Sequence, residues 1–563
     1  MGVHSTLGKV LLHTVFGRAP VSCWLRGWLR QVVLCAALAW SGLGCAPPAP
    51  ARGAGNGGQD AAAAGGTGGA GGVAASGGAG GRGGSGDASS AAGGSSGTGG
   101  KSTASAPPTI SGLSIQANPN NGLSCFVSWT TDLAANSEVQ FGAGAVQFHI
   151  VSDQAVNFHR VLVIGMYAQT DYVIKAVSKN DGGSASAEGA FTTGALPGGL
   201  PVATVTINDT GAAPGGWTLA NISPASKGGG FGSTAPGMIA MYDQTGVPVW
   251  YFVNGSTADA RGDVSVRVAA NGNILLGPSS GEPAKEIDLA GNVVWSGPSQ
   301  PAATDPGTDP ATAPMSHFAG KLSNGNYVLF RDLIDANGIG GAYIQELTPS
   351  NTVVWSWNLF DHLPPPAGAA KDWCHPNALT VDLDNDVFYL SCRFQGIIKA
   401  RRSGDQGVIW VLGGRAGGDF TFSPASARFD DQHDPEIHAD GTILLYNNGG
   451  SELKAPAGVT SRVLEFKVDE TTKQANLTFA FPGEFATDAW YRTSWYTPYW
   501  GDADRLENGN ILVTAGIRNQ TEQTRHFEVR PSDGAVVWQM MLPVGVGSYQ
   551  AERLSPPPLV RPL

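Results

Sequence analysis

The stretch Asn324-Gly325-Asn326-Tyr327-Val328 decides the fold, because a sequence of this form returns along the chain. Asparagine and glycine tolerate the positive φ that a type I′ turn requires, and the apolar residues after them indicate a strand. The other copies after residue 200 are Asn271-Gly272-Asn273-Ile274-Leu275, Asp384-Asn385-Asp386-Val387-Phe388, Asp440-Gly441-Thr442-Ile443-Leu444 and Asn508-Gly509-Asn510-Ile511-Leu512. The sequence therefore predicts a series of β-hairpins, each built on the same turn.

A second repeated element is a short apolar strand that ends in tryptophan. Its copies are Val247-Pro248-Val249-Trp250, Asn292-Val293-Val294-Trp295, Thr352-Val353-Val354-Trp355, Gly407-Val408-Ile409-Trp410 and Ala535-Val536-Val537-Trp538, with Leu477-Thr478-Phe479-Ala480-Phe481 as a weaker sixth copy. The period of about 50 to 60 residues is typical of a propeller with four-stranded blades. A sixth blade closes if the two ends of the domain pair, which also hides the edge strands. We therefore predict an all-β protein with a six-bladed β-propeller over residues 197–563. A pair of β-sandwiches is the alternative, and it explains the strands but not the period.

Residues 107–196 predict a separate, smaller β-sandwich. Period-two alternation places four apolar side chains on one face of a strand: Leu123, Cys125, Val127 and Trp129. The steps at 128–131 and 170–172 resemble a fibronectin type III-like module. We interpret this domain as structural or interaction-forming, because it shows no cluster of catalytic groups.

The first 106 residues predict export and a tether. Arginines precede an apolar run at 32–40, and Ser41-Gly42-Leu43-Gly44-Cys45 follows, which indicates a signal peptide over 1–45. Its end resembles a bacterial lipobox, with Cys45 as the lipidated residue, and an ordinary signal peptide is the alternative. Residues 46–106 are glycine, alanine and serine, which bury too little surface to fold and predict a disordered linker. Both alternatives place the protein outside the cytoplasm, either anchored to a membrane as a lipoprotein or secreted.

The overall charge excludes one class of partner. The formal net charge is -11 and no sustained basic run follows the N-terminus, so a nucleic acid is not an expected partner.

Three histidines stand at nearly the same place in successive repeats, seven, nine and seven residues before the turn: His317, His375 and His433. The first strand of each propeller blade lines the central channel, so equivalent positions converge on the axis. We therefore expect the three imidazoles to face one another at one end of the channel. One such histidine alone is more often structural, but three in register favour a functional site.

Two further polar residues belong to the same region. Asn377 follows His375 by two residues and points the same way along a strand. Arg393 lies as far after the turn at Asp384 as His375 lies before it, which places the two opposite one another across the hairpin. A planar guanidinium beside an imidazole and an amide suits a tetrahedral oxyanion.

The segments around these residues resemble the bacterial arylsulfate sulfotransferases. Asp372-Trp373-Cys374-His375-Pro376-Asn377, with Ser-Cys-Arg-Phe-Gln-Gly at 391–396, is similar to their histidine, asparagine and arginine segment, and the 18-residue gap from His375 to Arg393 is the most discriminating feature. A second segment resembles the one that carries their transiently sulfated histidine, and it consists of Asp431-Gln432-His433-Asp434 with Asp440-Gly441-Thr442 and Asn447-Asn448-Gly449. Ser316-His317-Phe318 resembles the remaining one. The segment 496–501 does not clearly supply a further hydroxyl group that the family has.

The resemblance implies transfer of a sulfuryl group from an aryl sulfate to a phenol, without phosphoadenosine phosphosulfate and with no cofactor. We expect His433 to be the nucleophile, His317 the general acid and base, and His375, Asn377 and Arg393 the holders of the sulfuryl oxygens. Phe318, Tyr496 and Tyr499 are candidates to stack on phenolic rings, with a core or rim role as the alternative. Other functions stay open: a non-catalytic propeller lipoprotein that binds a surface ligand, and a metal site, which Arg393 disfavours because it repels a cation.

Two cysteines precede two of the site residues. Cys374 comes directly before His375 and Cys392 directly before Arg393, so the sequence allows a cross-strand disulfide that braces both. Two buried thiols are the alternative.

Overall fold

The structure is a computed structural model that describes residues 106–224, 237–254, 265–278, 282–299, 307–310, 312–450, 456, 458–483, 489–516 and 522–563. The predicted signal peptide, Cys45 and the predicted linker up to residue 105 lie outside the described residues. Within these ranges the protein is all-β, with helical turns at Leu359–His362 (α1), Ala425–Ala427 (3-10) and Ala489–Thr493 (α2). No helix in the described part has the length and apolar character that a membrane span requires.

The first sheet contains five consecutive strands and a sixth strand from the far end of the chain. The five are β1 (Ile110–Ala117), β2 (Cys125–Ala143), β3 (Phe148–Val163), β4 (Asp171–Asn180) and β5 (Gly183–Thr192). Strand β2 pairs with β1, β3 and β4, and its register with β3 breaks between Thr130 and Ser137. Its alternating apolar side chains are buried, as the period-two pattern predicts. The likeness to a fibronectin type III module stays a prediction.

After β5, the described residues form six more sheets of four or five strands each. In chain order, the strands of these sheets up to residue 358 are β6 (Thr204–Asn208), β7 (Trp217–Pro224), β8 (Gly237–Tyr242), β9 (Pro248–Asn254), β10 (Val266–Val268), β11 (Ile274–Leu276), β12 (Lys285–Ile287), β13 (Val293–Ser296), β14 (Met315–Lys321), β15 (Tyr327–Ile334), β16 (Gly340–Leu347) and β17 (Val353–Asn358). The remaining strands of these sheets are β18 (Pro376–Asp382), β19 (Val387–Cys392), β20 (Gly396–Arg401), β21 (Val408–Leu412), β22 (Thr421–Ser423), β23 (Gln432–Ile437), β24 (Thr442–Asn447), β25 (Arg462–Asp469), β26 (Gln474–Phe481), β27 (Asp502–Arg505), β28 (Ile511–Ala515), β29 (Arg525–Arg530), β30 (Ala535–Met541), β31 (Val546–Gly547) and β32 (Ala551–Leu554). Strand β33 (Arg561–Pro562) follows them in the chain and belongs to the first sheet.

The repeated elements of the sequence fall at equivalent places in these sheets. The five predicted turns join β10 to β11, β14 to β15, β18 to β19, β23 to β24 and β27 to β28, so the hairpins are confirmed. The tryptophan elements form β9, β13, β17, β21 and β30, and the weaker copy forms β26. Three of these tryptophans donate their indole N–H to a turn carbonyl of the next sheet: Trp250 to Leu289, Trp355 to Arg402 and Trp538 to Gln244. The tryptophan therefore connects neighbouring sheets.

Strands from the two ends of this region pair with each other. Strand β6 pairs with β30, and β7 pairs with β31 and β32. The first strands of successive sheets also contact one another: β14 contacts β18, β18 contacts β23, and β23 contacts β27. Strand β32 likewise contacts β10. The last strand, β33, pairs with β3 of the first sheet. The inner strands β14, β18 and β23 thus lie side by side. Of the three predicted histidines, His317 lies in β14, His433 lies in β23 and His375 directly precedes β18.

Candidate active site

His317 and His433 lie where the inner strands are irregular, and His375 directly precedes a third irregular strand. The register of β14 shifts between Met315 and Ala319, that of β18 between Pro376 and Ala378, and that of β23 between His433 and Glu436. Such bulges turn a side chain away from the regular alternation and are common beside active sites.

The backbone at these bulges adopts conformations that non-glycine residues rarely take. The φ angle is 60° at His317 and 53° at His375, and it is 56° and 40° at Asp431 and Asp434, which flank His433. Each such residue costs on the order of 1–3 kcal/mol, and the surrounding structure must compensate. The strain is therefore concentrated at the predicted site.

The imidazole rings meet around one tyrosine. The ring centres of His317 and His375 are 5.2 Å apart. The ring centre of Tyr549 lies 6.1 Å from those of both His317 and His433. The structure thus brings the three histidines together, although they come from three different sheets.

His433 is held by an amide. Its Nδ1 is 2.6 Å from Oδ1 of Asn448, and the amide nitrogen of Asn448 donates to the carbonyls of Thr497 and Trp500. His433 is 2% exposed. Burial, and then the positive charge of Arg393, hold the pKa of His433 well below its ordinary value. The ring is therefore neutral at physiological pH.

Arg393 lies buried next to the histidines. One of its terminal nitrogens donates to the carbonyl of Pro498, and its Nε lies 3.6 Å from a carboxylate oxygen of Asp431. Asp431 is shared with Arg415, whose nitrogen lies 3.0 Å from the same oxygen. The two guanidiniums share this carboxylate, and their forked N–H donors suit an anion.

A disulfide ties the two strands that carry His375 and Arg393. Cys374 and Cys392 are bonded, and the Arg393 backbone N–H donates to the His375 carbonyl across the hairpin, 3.0 Å away. The side chain of Gln432 bonds to the Cys392 carbonyl at 3.0 Å. The hairpin of β18 and β19 is therefore anchored to the strand that carries His433.

Asn377 is buried between the same strands. Its amide nitrogen donates to the carbonyl of Gln432, 2.7 Å away. Its Oδ1 is buried and has no hydrogen-bond partner in the described residues. One N–H of this amide is committed to the protein, which leaves the second for a ligand oxygen.

His375 has a different partner from His433. Its Nδ1 lies 3.0 Å from a carboxylate oxygen of Asp372, and its side chain is 30% exposed. Burial acts to raise the pKa of Asp372, but the hydrogen bond to His375 and the charge of Arg393 outweigh it and the pKa lies below its ordinary value. Asp372 therefore stays ionised beside His375.

The aromatic candidates separate into two groups. Phe318 is buried in the hydrophobic core, stacked on Phe330 at 5.7 Å. Tyr499 is half-buried, with its ring centre 5.1 Å from the Arg393 guanidinium, whereas Tyr496 is buried. Of the three candidates, Tyr499 is therefore the one that is only half-buried.

A group of carboxyl side chains lies beyond His433 on strand β23 and on strands β27 and β32. We call His317, His375, His433 and Arg393 the histidine end, and Asp434, Glu436, Asp502, Asp504 and Glu552 the acidic end. The acidic end surrounds Arg267, which pairs with Asp434, and borders a cavity of about 490 Å³. Burial raises the pKa of Asp502 and Asp504 well above the ordinary value and that of Glu552 to about 7. Burial therefore favours the protonated form of Asp502, Asp504 and Glu552.

The sequence alone predicts no role for three residues of the site. Asn448 and Asp372 lie inside the segments that resemble the family, and only the contacts reveal what they hold. Tyr549 lies outside every repeat, so no signal in the sequence points to it. Among the described residues no group of three or more histidine, cysteine, aspartate or glutamate side chains is arranged to hold a metal ion.

Fold and site together define a class: an all-β protein of repeated sheets with a buried histidine and arginine site between the inner strands. The profile of the arylsulfotransferase (ASST) family matches residues 224–550, more than half of the chain. The chain therefore belongs to the arylsulfotransferase family, and the resemblance seen in the sequence is confirmed.

Two curated relatives carry the name arylsulfate sulfotransferase AssT, one from Escherichia coli O6:H1 and one from Lelliottia amnigena. Each is 30% identical over 131 residues, which cover 18% of this chain and 22% of the relative. The matched part thus spans about a fifth of the relatives' own length.

Solved structures show lower similarity. A protein of unknown function from Bacteroides caccae is 14% identical with a TM-score of 0.38, and the match covers 60% of this chain and 99% of that one. A quinonprotein alcohol dehydrogenase-like protein from Bacteroides thetaiotaomicron is 9% identical with a TM-score of 0.30, covering 78% and 95%. Neither likeness is high enough to carry a conclusion.

Proposed function

We propose that this protein transfers a sulfuryl group from an aryl sulfate to a phenol through a sulfated His433, without phosphoadenosine phosphosulfate. The six sheets after β5 act as the blades of a propeller, with the histidine end at one mouth of its channel. The observation that carries the proposal is the buried, neutral imidazole of His433 beside the buried guanidinium of Arg393. A neutral nucleophile next to a forked cation is what attack on a sulfate ester requires.

In the first half-reaction, Nε2 of His433 attacks the sulfur, and the bond from sulfur to the aryl oxygen breaks. Arg393, Asn377 and His375 hold the sulfuryl oxygens as their charge redistributes. His317 gives its proton to the departing phenolate, which leaves as a phenol. Asp372 supports the charge on His375, 3.0 Å away.

In the second half-reaction, the acceptor phenol gives its proton to His317, and its oxygen attacks the sulfur. The bond between sulfur and Nε2 breaks, and His433 returns to the neutral imidazole. Both half-reactions use the same groups in reverse order, so the kinetics are expected to be ping-pong.

A chromogenic aryl sulfate tests the proposal, with and without a phenol acceptor and with and without a chelator. We expect phenol release that depends on acceptor and that the chelator does not change. Release that the chelator abolishes would point to a metal site, and no release with any acceptor would favour a non-catalytic binding protein.

We also propose that the protein lies outside the cytoplasm, held to a membrane through a lipid on Cys45. The disulfide between Cys374 and Cys392 supports an oxidising compartment. Cys45→Ser is expected to release the protein from the membrane fraction or to block its maturation. A wild-type protein found wholly in the soluble extract would remove the anchor and leave the catalytic proposal intact.

A further inference from the structure

The side chain that faces Nδ1 of His433 is that of Asn448, and the backbone behind it fixes which way its amide points. Its nitrogen lies 2.6 Å from the carbonyl oxygen of Thr497 and 2.7 Å from that of Trp500. Carbonyl oxygens only accept hydrogen bonds, so both must face the amide nitrogen. Oδ1 of Asn448 is then the atom that faces His433, at 2.6 Å.

This orientation determines the tautomer of His433. An amide oxygen also only accepts, so Nδ1 of His433 must carry the hydrogen. The neutral ring then has its lone pair on Nε2. We propose that Asn448 is a positioning residue that holds His433 as the Nδ1–H tautomer and presents Nε2 as the nucleophile, an inference that rests on the proposed function.

An amide has a chemical advantage over a carboxylate at this place. When the bond from Nε2 to sulfur forms, the ring becomes positively charged and still carries Nδ1–H. Asn448 accepts a hydrogen bond from this group but does not take its proton. When the acceptor oxygen attacks the sulfur, the ring therefore leaves as neutral imidazole, and the second half-reaction returns the starting tautomer.

Asn448 is itself fixed by a buried polar network. The hydroxyl of Ser461 donates to the Asn448 carbonyl at 3.0 Å and accepts from the Thr497 N–H at 2.9 Å. The indole N–H of Trp495 donates to the Tyr446 hydroxyl, which also contacts the Thr497 hydroxyl. Fully satisfied buried networks are rigid, so the amide has little freedom to rotate.

The tautomer is measured directly on the whole protein labelled with ¹⁵N-histidine. The His433 signals are those that His433→Asn removes. We expect ¹⁵N shifts of a protonated Nδ1 and an unprotonated Nε2 in the wild type. A His433 ring protonated on Nε2 would overturn the proposal. This measurement needs no turnover, so its failure is distinct from absence of sulfotransfer.

Kinetics of two variants give a second test. Asn448→Leu removes the hydrogen-bond acceptor of Nδ1. We expect kcat to fall about 10- to 100-fold with KM nearly unchanged, an effect of the size seen when a residue that orients a functional histidine is lost. Asn448→Asp places a carboxylate on Nδ1, which favours the protonated ring. The acidic limb of its pH–rate profile is expected to move to higher pH by about 1–3 units.

A matched control is available next to it. Asn447→Asp makes the same change of charge at a buried residue that caps the Gly449 N–H, so the acidic limb should stay in place. In the wild type and in both aspartate variants, the other groups that face His433 are Arg393, His375, His317 and Tyr549. Wild-type kcat in Asn448→Leu, or equal shifts of the limb in both aspartate variants, would overturn the role of Asn448.

Discussion

The histidine end and the acidic end are neighbours in the structure but differ in their electrostatics. His433 and Glu436 belong to one strand, β23, and Tyr549 and Glu552 belong to one segment of the chain. At the histidine end, Arg393 and Arg415 share one carboxylate. At the acidic end, five carboxyl groups surround Arg267.

We therefore expect the two ends to have different roles, one in binding the sulfate ester and one in stability. An anionic sulfate ester is attracted to the guanidiniums of the histidine end, so the ester is expected to enter and leave by that end. The acidic end contributes to stability, in a manner that depends on pH. Substitutions at the first end should therefore change the rate of transfer, and those at the second should change unfolding.

The largest effect is expected from Arg393→Lys. The ammonium keeps the charge but loses the forked donors, so kcat should fall by about 10²- to 10³-fold, as for the loss of an oxyanion donor. Steady-state kinetics with one aryl sulfate and one phenol measure this. Arg402→Lys, in an ion pair with Glu346, is the control and should keep its rate. A wild-type rate in Arg393→Lys would contradict a role of the forked donors in transfer at the histidine end.

The disulfide at the histidine end offers the next test. Replacing Cys374 and Cys392 together by alanine is expected to lower the free energy of unfolding by about 3 kcal/mol, because the unfolded chain gains freedom. Denaturant unfolding with and without reductant measures it. Reductant should destabilise the wild type and leave the double variant unchanged, and an insensitive wild type would show that the bond contributes nothing.

At the acidic end, Glu552→Gln is expected to change stability and not transfer. Burial raises the pKa of Glu552 to about 7 from 4.5, so its contribution is present below pH 4.5 and lost as pH rises through 7. Glutamine resembles the protonated form. The variant should be more stable than the wild type at pH 8 by on the order of 2 kcal/mol and equal to it near pH 4.

Melting curves across this pH range measure the effect. Glu188→Gln, at a largely exposed carboxylate, is the control and should show no such pH-dependent change in stability. A transfer rate that falls in Glu552→Gln would show that the two ends are not separate.

The smallest effect is expected from Asp372→Asn. The amide still accepts from Nδ1 of His375 but no longer supports its positive charge. Charged hydrogen bonds exceed neutral ones by about 1 kcal/mol, so kcat should fall roughly 5- to 10-fold. Asp384→Asn, in the turn of the same hairpin, is the control. Equal rates for both variants would contradict a role for the carboxylate.

The fold was predictable where the sequence repeats. The Asn-Gly and Asp-Gly turns specify the hairpins locally, and the tryptophan strands mark the seams between sheets. The small first domain was harder, because its long strands β2 and β3 run through a register break that alternation alone does not reveal. The pairing of β33 with β3 joins distant parts of the chain and leaves no local pattern.

The site was predictable in its histidines and arginine but not in what holds them. Register placed His317, His375 and His433 together, because equivalent positions of inner strands converge. Asn448 and Asp372 were missed as partners, since an amide or a carboxylate beside a histidine is visible only in three dimensions. Tyr549 comes from a segment without repeat or motif.

The most direct test of the central claim is the intact mass of the enzyme after reaction with an aryl sulfate in the absence of acceptor. We expect one equivalent of phenol in a burst and a stalled protein that is heavier by one sulfuryl group, located on the peptide that contains His433. His433→Asn should show neither the burst nor the added mass. An unmodified wild-type protein, or a His433→Asn variant that transfers at the wild-type rate, would contradict the account and favour direct transfer between two bound phenols.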